Sequence, residues 1–471
     1  MQKPWLIILL AVVLVSCHKD HTEDIKKQFI VNDHTVNVTF DEKHPGNVIP
    51  ETFNGLSFEN GVFGQDINYL DENNKVLIQL MKNIGPGIIR MGGGTSDLIT
   101  WIDAPRNSGT QADAITTSDI DRLSAFSKVT GWPVIFGLNL ADNDQDVAAE
   151  EAAYVAKSLG SRLYAFQSGN EPDAYAPYNH LRNPPYSFVD FLGEWRGYQA
   201  AVQKVVPGAS FAGPDVAFNT SWITAFTDNE GYEAKLQDGH YYEVGPATDP
   251  NINYHSILGH SFKLADLIQS FKASTSKTQP PFRVTECNNV YGGGKVGVSD
   301  VFASTLWALD AMWTLADNGC QGINFHTGVG LHYSPVIREN GVFVAKPEYY
   351  AMLAFKYGSA NGRSIPAKID NSQYCSAHAC LVNSKYSITL VNKSVDKSFD
   401  FNIIPGKNIS SINVTRLTAP AINAATGVLF GGTAVKADGT FGAVTSENST
   451  INKSSFIVTV PAGSAAVVVA Q

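Results

Sequence analysis

Leu163-Tyr164-Ala165-Phe166-Gln167-Ser168-Gly169-Asn170-Glu171-Pro172 is an apolar run that turns polar and is then stopped by proline. Pro172 has no N–H to give to a sheet ladder, so the run reads as a strand whose far end displays Asn170 and Glu171. Phe282-Arg283-Val284-Thr285-Glu286-Cys287-Asn288 repeats the pattern. Six further runs of this kind cover residues 53–59, 88–93, 133–139, 210–215, 239–244 and 322–327. Helical periodicity falls between them, at 76–83, 120–130, 146–159, 186–206, 264–272 and 298–318. Strands alternating with helices predict parallel βαβ units, and eight such units are the number of a (β/α)8 barrel. The predicted strands end in Glu59, Arg90, Asn139, Asn170-Glu171, Asp215, Tyr241-Tyr242, Glu286 and His326. A doubly wound sheet would not place polar residues at nearly every strand end. A barrel, whose site lies at the carboxyl face of its strands, would.

Beyond residue 355 helical periodicity gives way to short alternating runs at 386–392, 398–404, 412–417, 456–460 and 465–470, separated by Gly, Asn and Ser. That texture predicts a C-terminal β-sandwich over 356–471. Residues 29–45 alternate in the same way, and we expect them to add a strand to that sandwich, with the barrel spanning 46–355. Residues 1–17 read as a lipoprotein signal: Lys3, a short apolar stretch, then Leu14-Val15-Ser16-Cys17, with Cys17 as the lipidated residue. Residues 18–28 would be a polar tether to the bacterial outer membrane, facing the periplasm or the outside. The net charge of −10 without a long basic run argues against nucleic acid and against a highly sulfated polyanion. Cys375 and Cys380 flank His378; a local disulfide and two free thiols are both open, and a metal site lacks a second ligand pair.

Two glutamates ending different strands of one barrel suit glycosidic-bond hydrolysis with retention. One carboxylic acid protonates the leaving oxygen, and one carboxylate attacks the anomeric carbon. Alternation along a strand sets Arg283 and Glu286 on opposite faces, which argues against a structural ion pair between them. A phenol from the sixth strand, Tyr241 or Tyr242, is placed to donate to Glu286 and favour its ionised form. Arg90 reads as a buttress for the carboxylates. Gly92-Gly93-Gly94 is not a phosphate loop, because no Gly-Lys-Ser/Thr follows. His326 and His332 read as hydrogen-bonding groups at the end of the eighth strand.

Gly169-Asn170-Glu171-Pro172, Ile135-Phe136-Gly137-Leu138-Asn139, Ala212-Gly213-Pro214-Asp215-Val216, His240-Tyr241-Tyr242 and Tyr291-Gly292-Gly293-Gly294 occur in this order. Together they resemble glycoside hydrolase family 79 of clan A, which contains heparanase and microbial β-glucuronidases. The resemblance implies Glu171 as acid/base, Glu286 as nucleophile, Asn170 at the sugar 2-hydroxyl and Tyr241 orienting the nucleophile. It also implies that Tyr291 with the N–H groups of Gly292 and Gly293 holds a uronate carboxylate, that Glu59 meets the far edge of the terminal sugar, and that Tyr333 faces the same sugar. The expected activity is exo-cleavage of terminal β-linked glucuronic acid, or its 4-O-methyl form, from an oligo- or polysaccharide. It needs no cofactor or metal, and membrane contact is through the anchor alone. The alternatives are another clan A β-glycosidase with a different sugar and a lipid-anchored glycan-binding protein without turnover.

Overall fold

The computed structural model describes residues 28–471 apart from His260, Asn371 and Ser372. Cys17 and nearly all of the expected signal and tether lie outside the described residues. Eight parallel strands close into a barrel: Asn54–Glu59, Ile88–Gly92, Val134–Leu138, Leu163–Ser168, Phe211–Val216, Ala234–Val244, Phe282–Val290 and Ile323–His326. The last pairs with the first, Phe325 opposite Leu56. The sixth strand begins five residues earlier than the sequence suggests.

A helix follows each strand: Lys75–Asn83, Thr117–Thr130, Gln145–Leu159, Phe188–Val205, Ser221–Glu230, Phe262–Lys272, Phe302–Asp317 and Tyr349–Ser359. Local chemistry sets their ends. Thr117–Thr130 starts at a Thr116/Asp119 capping box and stops at Gly131, whose φ of 74° suits glycine. Two helices correct the sequence reading. The stretch 219–238, to which the periodicity assigns no helix, contains Ser221–Glu230, which buries Trp222, Ile223 and Phe226. Tyr349–Ser359 is the eighth barrel helix, so helical structure continues past residue 355.

The barrel floor is apolar, with Ile88, Ile135, Ala165, Ala212 and Leu236 forming one buried layer. Arg283 closes it, donating to Asn324 Oδ1 at 2.6 Å and to the carbonyls of Thr52, Gln321, Phe53 and Asn54. The register of the seventh strand against the sixth shifts between Val284 and Glu286. Strict alternation therefore fails there. Arg283, Thr285 and Glu286 all make their contacts inside the barrel, and what separates Arg283 from Glu286 is height along the strand, not opposite faces.

The sandwich stacks a four-stranded sheet on a seven-stranded one. Thr35–Phe40 sits inside the smaller sheet, parallel to Phe399–Ile404 and antiparallel to Ala367–Ile369. Its Val36 and Val38 pack with Phe401, Ile403, Ile388, Leu390 and Val468 in a core separate from the barrel's. Cys375 and Cys380 lie in one strand, Cys375–Val382, and are free thiols. Five residues of extended chain separate them by about 16 Å, far beyond the ~7 Å a disulfide tolerates. His378 instead bridges the domains: Nδ1 meets Asp317 at 2.7 Å and Nε2 meets Asp310 at 3.0 Å, both on helix Phe302–Asp317.

Candidate active site

At the carboxyl face, strand ends converge on a cavity of about 540 Å³. Glu59, Glu171, Glu286, Tyr291, Gly292, Gly293 and Tyr333 all line it. An oxygen of Glu171, an oxygen of Glu286 and a ring nitrogen of His240 all lie within 4.8 Å of one another.

Glu171 is held at the mouth by an unusual backbone. Its φ is 52°, sparsely populated for a residue other than glycine, and its N–H donates to Asp215 O at 2.8 Å, joining the fourth and fifth strand ends. Gly169, two residues earlier, must be glycine, because a Cβ there would lie 2.3 Å from the Tyr175 hydroxyl. Asp97, from the loop after the second strand, accepts from Asn170 N–H, Leu140 N–H and Tyr175 Oη and pins this turn.

Two environments separate the pair. Burial pushes the Glu286 carboxyl up, but His326, His240 and Arg90 supply positive charge and Tyr242 a hydrogen bond, so it is held well below the usual carboxylate range. Arg90 Nη1 donates to Glu286 Oε2 at 2.6 Å, and Tyr242 Oη donates to Oε1 at 2.7 Å. Burial raises the Glu171 pKa, His240 works against the rise, and Glu286 and Asp173 add to it. One carboxyl is thus biased to stay ionised and the other to keep its proton, which is the division that acid and nucleophile need.

Tyr242 takes the place expected of Tyr241. The sixth strand points alternate residues inward, so Asp238, His240 and Tyr242 share the barrel interior. The Tyr241 hydroxyl contacts Glu243 and Ser261, and its ring stacks on Trp307 at 6.0 Å. Asn170 is buried, with Oδ1 accepting from Arg90 Nη2 at 2.8 Å. Glu59 accepts from Thr95 N–H and Oγ1 and contacts His326 Nε2 at 3.2 Å. The Tyr333 hydroxyl lies 3.5 Å from that of Tyr242. Gly292, Gly293 and Gly294 have φ of 85°, 92° and 79°, and among the described residues no protein acceptor takes the N–H of Gly292 or Gly293.

Sequence reasoning gave no role to His240, which sits between two acids: Nδ1 is 2.9 Å from Glu171 Oε1 and Nε2 is 2.9 Å from Asp215 Oδ1. Asp215 also accepts from Arg90, Gln167 and Thr285. The spacing Asp238-x-His240-x-Tyr242, period two on a barrel strand, was the signal for an inward-facing row. Glu171, His240 and Glu286 are close enough to ligate a cation. However, both ring nitrogens already face carboxylates and Arg90 abuts Glu286, so the acids are charge-matched by protein groups.

Residues 372–467 match the glycosyl hydrolase family 79 C-terminal β domain. A β-glucuronidase of Aspergillus niger is 24% identical over 450 residues, spanning 81% of this chain and 82% of its own. The chain thus resembles glycoside hydrolase family 79, most directly in its C-terminal β domain. A hyaluronoglucuronidase of Hirudo nipponia is 21% identical over 415 residues, with 78% of this chain and 82% of that protein covered. Among solved structures, the fold of this chain is shared by a 4-O-α-L-rhamnosyl-β-D-glucuronidase from Fusarium oxysporum 12S. The TM-score is 0.75 at 19% identity, over 92% of this chain and 100% of the other. An arabinofuranosidase of family 51 from Xanthomonas axonopodis pv. citri superposes with a TM-score of 0.71 at 16% identity, over 93% and 100%. The chain is a glycoside hydrolase built on a (β/α)8 barrel.

Proposed function

We propose that the enzyme is a retaining exo-β-glucuronidase releasing terminal β-linked glucuronic acid, or its 4-O-methyl form, from glycans. The observation that carries this reading is the approach of Glu171 and Glu286 to within 4.8 Å, atom to atom, in oppositely biased surroundings. Retaining enzymes hold their carboxyls about 5–5.5 Å apart, whereas inverting ones need roughly 6.5–9.5 Å to admit a water. In the first step Glu286 attacks the anomeric carbon, the glycosidic C–O bond breaks, and the Glu171 proton goes to the leaving oxygen. In the second, Glu171 takes a proton from water as its oxygen attacks the same carbon, releasing Glu286. Two carboxylates and one water balance both steps, so the chemistry calls for no cofactor.

The choice of sugar is supported by the glucuronidases among the relatives and by neutral donors at the cavity wall. Tyr291 and the N–H groups of Gly292 and Gly293 are placed to take the uronate carboxylate, Asn170 the 2-hydroxyl, and Glu59 and Tyr333 the far edge of the ring. Support for exo action comes from Glu59, His326 and Tyr333, which line the cavity on the side of the barrel ring away from the acid. For Cys17 we propose lipid attachment and a place in the bacterial cell envelope; palmitate labelling should disappear in Cys17→Ala.

The test compares aryl glycosides. The wild-type enzyme should cleave an aryl β-glucuronide and leave the matching β-galactoside nearly untouched; the reverse order would overturn the sugar assignment. Glu286→Gln should abolish turnover in a protein that still folds, with melting lowered because buried Arg90 loses a charged partner. Glu171→Gln should slow it by about 10²–10⁴-fold with a poor leaving group, the usual worth of a general acid.

A further inference from the structure

We propose that the leaving-group side of the cavity is a sugar subsite built on Phe218, so that the bond cut joins the terminal sugar to a further pyranose ring. This rests on the glucuronidase reading above and extends it to the other partner of the bond. The departing group lies on the side of the acid, Glu171, which protonates it. Phe218 follows the fifth strand, next in the ring to the strand that ends at Glu171, and lines the same cavity. The first strand, which carries Glu59, is diametrically opposite in the eight-membered ring. The terminal sugar and the group it leaves therefore have separate walls.

Phe218 is 53% exposed, and its ring lies 4.9 Å from that of Tyr178, which is 61% exposed. The two rings touch each other yet leave apolar area open to solvent beside the cavity, where a sugar's C–H face could cover it. Nor is the segment slack. The Asp173 carboxylate, two residues after the acid, accepts from Phe218 N–H at 2.7 Å and Asn219 N–H at 2.6 Å, and from Ala217 N–H at 3.3 Å. One short stretch, Glu171 to Tyr178, thus positions both the proton donor and the aromatic platform. At the rim Thr220, Lys263 and Asp266 add a hydroxyl, an ammonium and a carboxylate. A pyranose offers an apolar C–H face to the rings and hydroxyls to the rim; a phenol would use the rings and leave the rim unanswered.

The experiment compares full-length wild-type enzyme, Phe218→Ala, Phe218→Tyr and Tyr178→Ala on three substrates: methyl β-glucuronide, an aryl β-glucuronide, and a disaccharide with glucuronic acid β-linked to a hexose. The Phe218→Ala variant should keep wild-type kcat/KM on the methyl glycoside and lose tenfold or more on the disaccharide. Phe218→Tyr should restore most of that loss, and Tyr178→Ala should show the same selectivity more weakly. Equal losses on methyl glycoside and disaccharide would mean a merely structural role and overturn the proposal. So would a larger loss on the aryl substrate than on the disaccharide. If the wild-type enzyme cleaves no glucuronide, the sugar assignment fails instead, and the same methyl-versus-disaccharide comparison is made for the glycon it does cleave.

Discussion

His240 bonds two carboxylates with a ring that, when neutral, carries only one N–H. Both contacts are satisfied if the ring is charged, or if Glu171 holds the proton and Nδ1 accepts it; in the proposed mechanism the proton that Glu171 delivers lies at this 2.9 Å contact. Asp215, Glu286, Asp173 and Asp238 are the acids around this ring and Arg90 the opposing cation. Removing the imidazolium removes the influence that lowers the Glu171 pKa. In His240→Gln the alkaline limb of kcat/KM should therefore move to higher pH, while kcat drops about 10–100-fold as Glu171 loses a charge-assisted hydrogen bond. A rate-only loss with both limbs unmoved would reduce His240 to packing. In the wild-type profile the acid limb, set by Glu286, should fall below the ordinary carboxylate range, and the alkaline limb, set by Glu171, above it. The two glutamates were legible because proline and asparagine punctuate their strand ends. Tyr242 shares its phase with Asp238 and His240, but two adjacent tyrosines look alike until the neighbouring strands' register shows which phase faces inward.

The glycine turn after the seventh strand shows how an element carries function. A Cβ on Gly294 would lie 2.6 Å from Tyr333 N, and its φ of 79° already disfavours alanine. Gly297 has a similar φ of 75° but open space around it. Gly297→Ala should pay only the backbone cost, about 1 kcal/mol in denaturant melts. Gly294→Ala should pay more and also lower kcat/KM, because Tyr333 on the cavity wall must shift. Matching activities in the two variants would detach the turn from the site. The strand–helix alternation was readable because barrel strands buried on both faces are short, apolar and sharply bounded. Ser221–Glu230 escaped because Asn219 and Thr220 before it, and Asn229 to Gly231 at its end, are turn-forming residues that mask a short apolar stripe. The shift between Val284 and Glu286 has no sequence mark, since a bulge is settled by the strand next door.

Across the whole molecule, barrel and sandwich are joined by a small charge cluster. His378 lies between Asp310 and Asp317 with its ring parallel to Trp313, and Lys393 Nζ reaches Asp310 at 2.6 Å. Burial pulls the His378 pKa down, but the two aspartates push it up to about 9. A raised pKa gives stability that is complete below the unfolded value near 6.5 and is lost as pH climbs through about 9. Melting temperature should therefore fall between pH 7 and 10, by an amount worth at most about 3 kcal/mol, and His378→Gln should flatten that slope. An unchanged slope in the variant would place the titration elsewhere. The two-domain division was legible in the change from helical to alternating texture, whereas the His378 cluster pairs residues from different domains and needs the folded chain to be seen. Asn37 and Asn402, hydrogen-bonded across the smaller sheet, are 365 positions apart. A ribosome must therefore finish the entire barrel before Thr35–Phe40 meets its neighbour, and until then the nascent chain carries an unpaired β-edge for chaperones to shield.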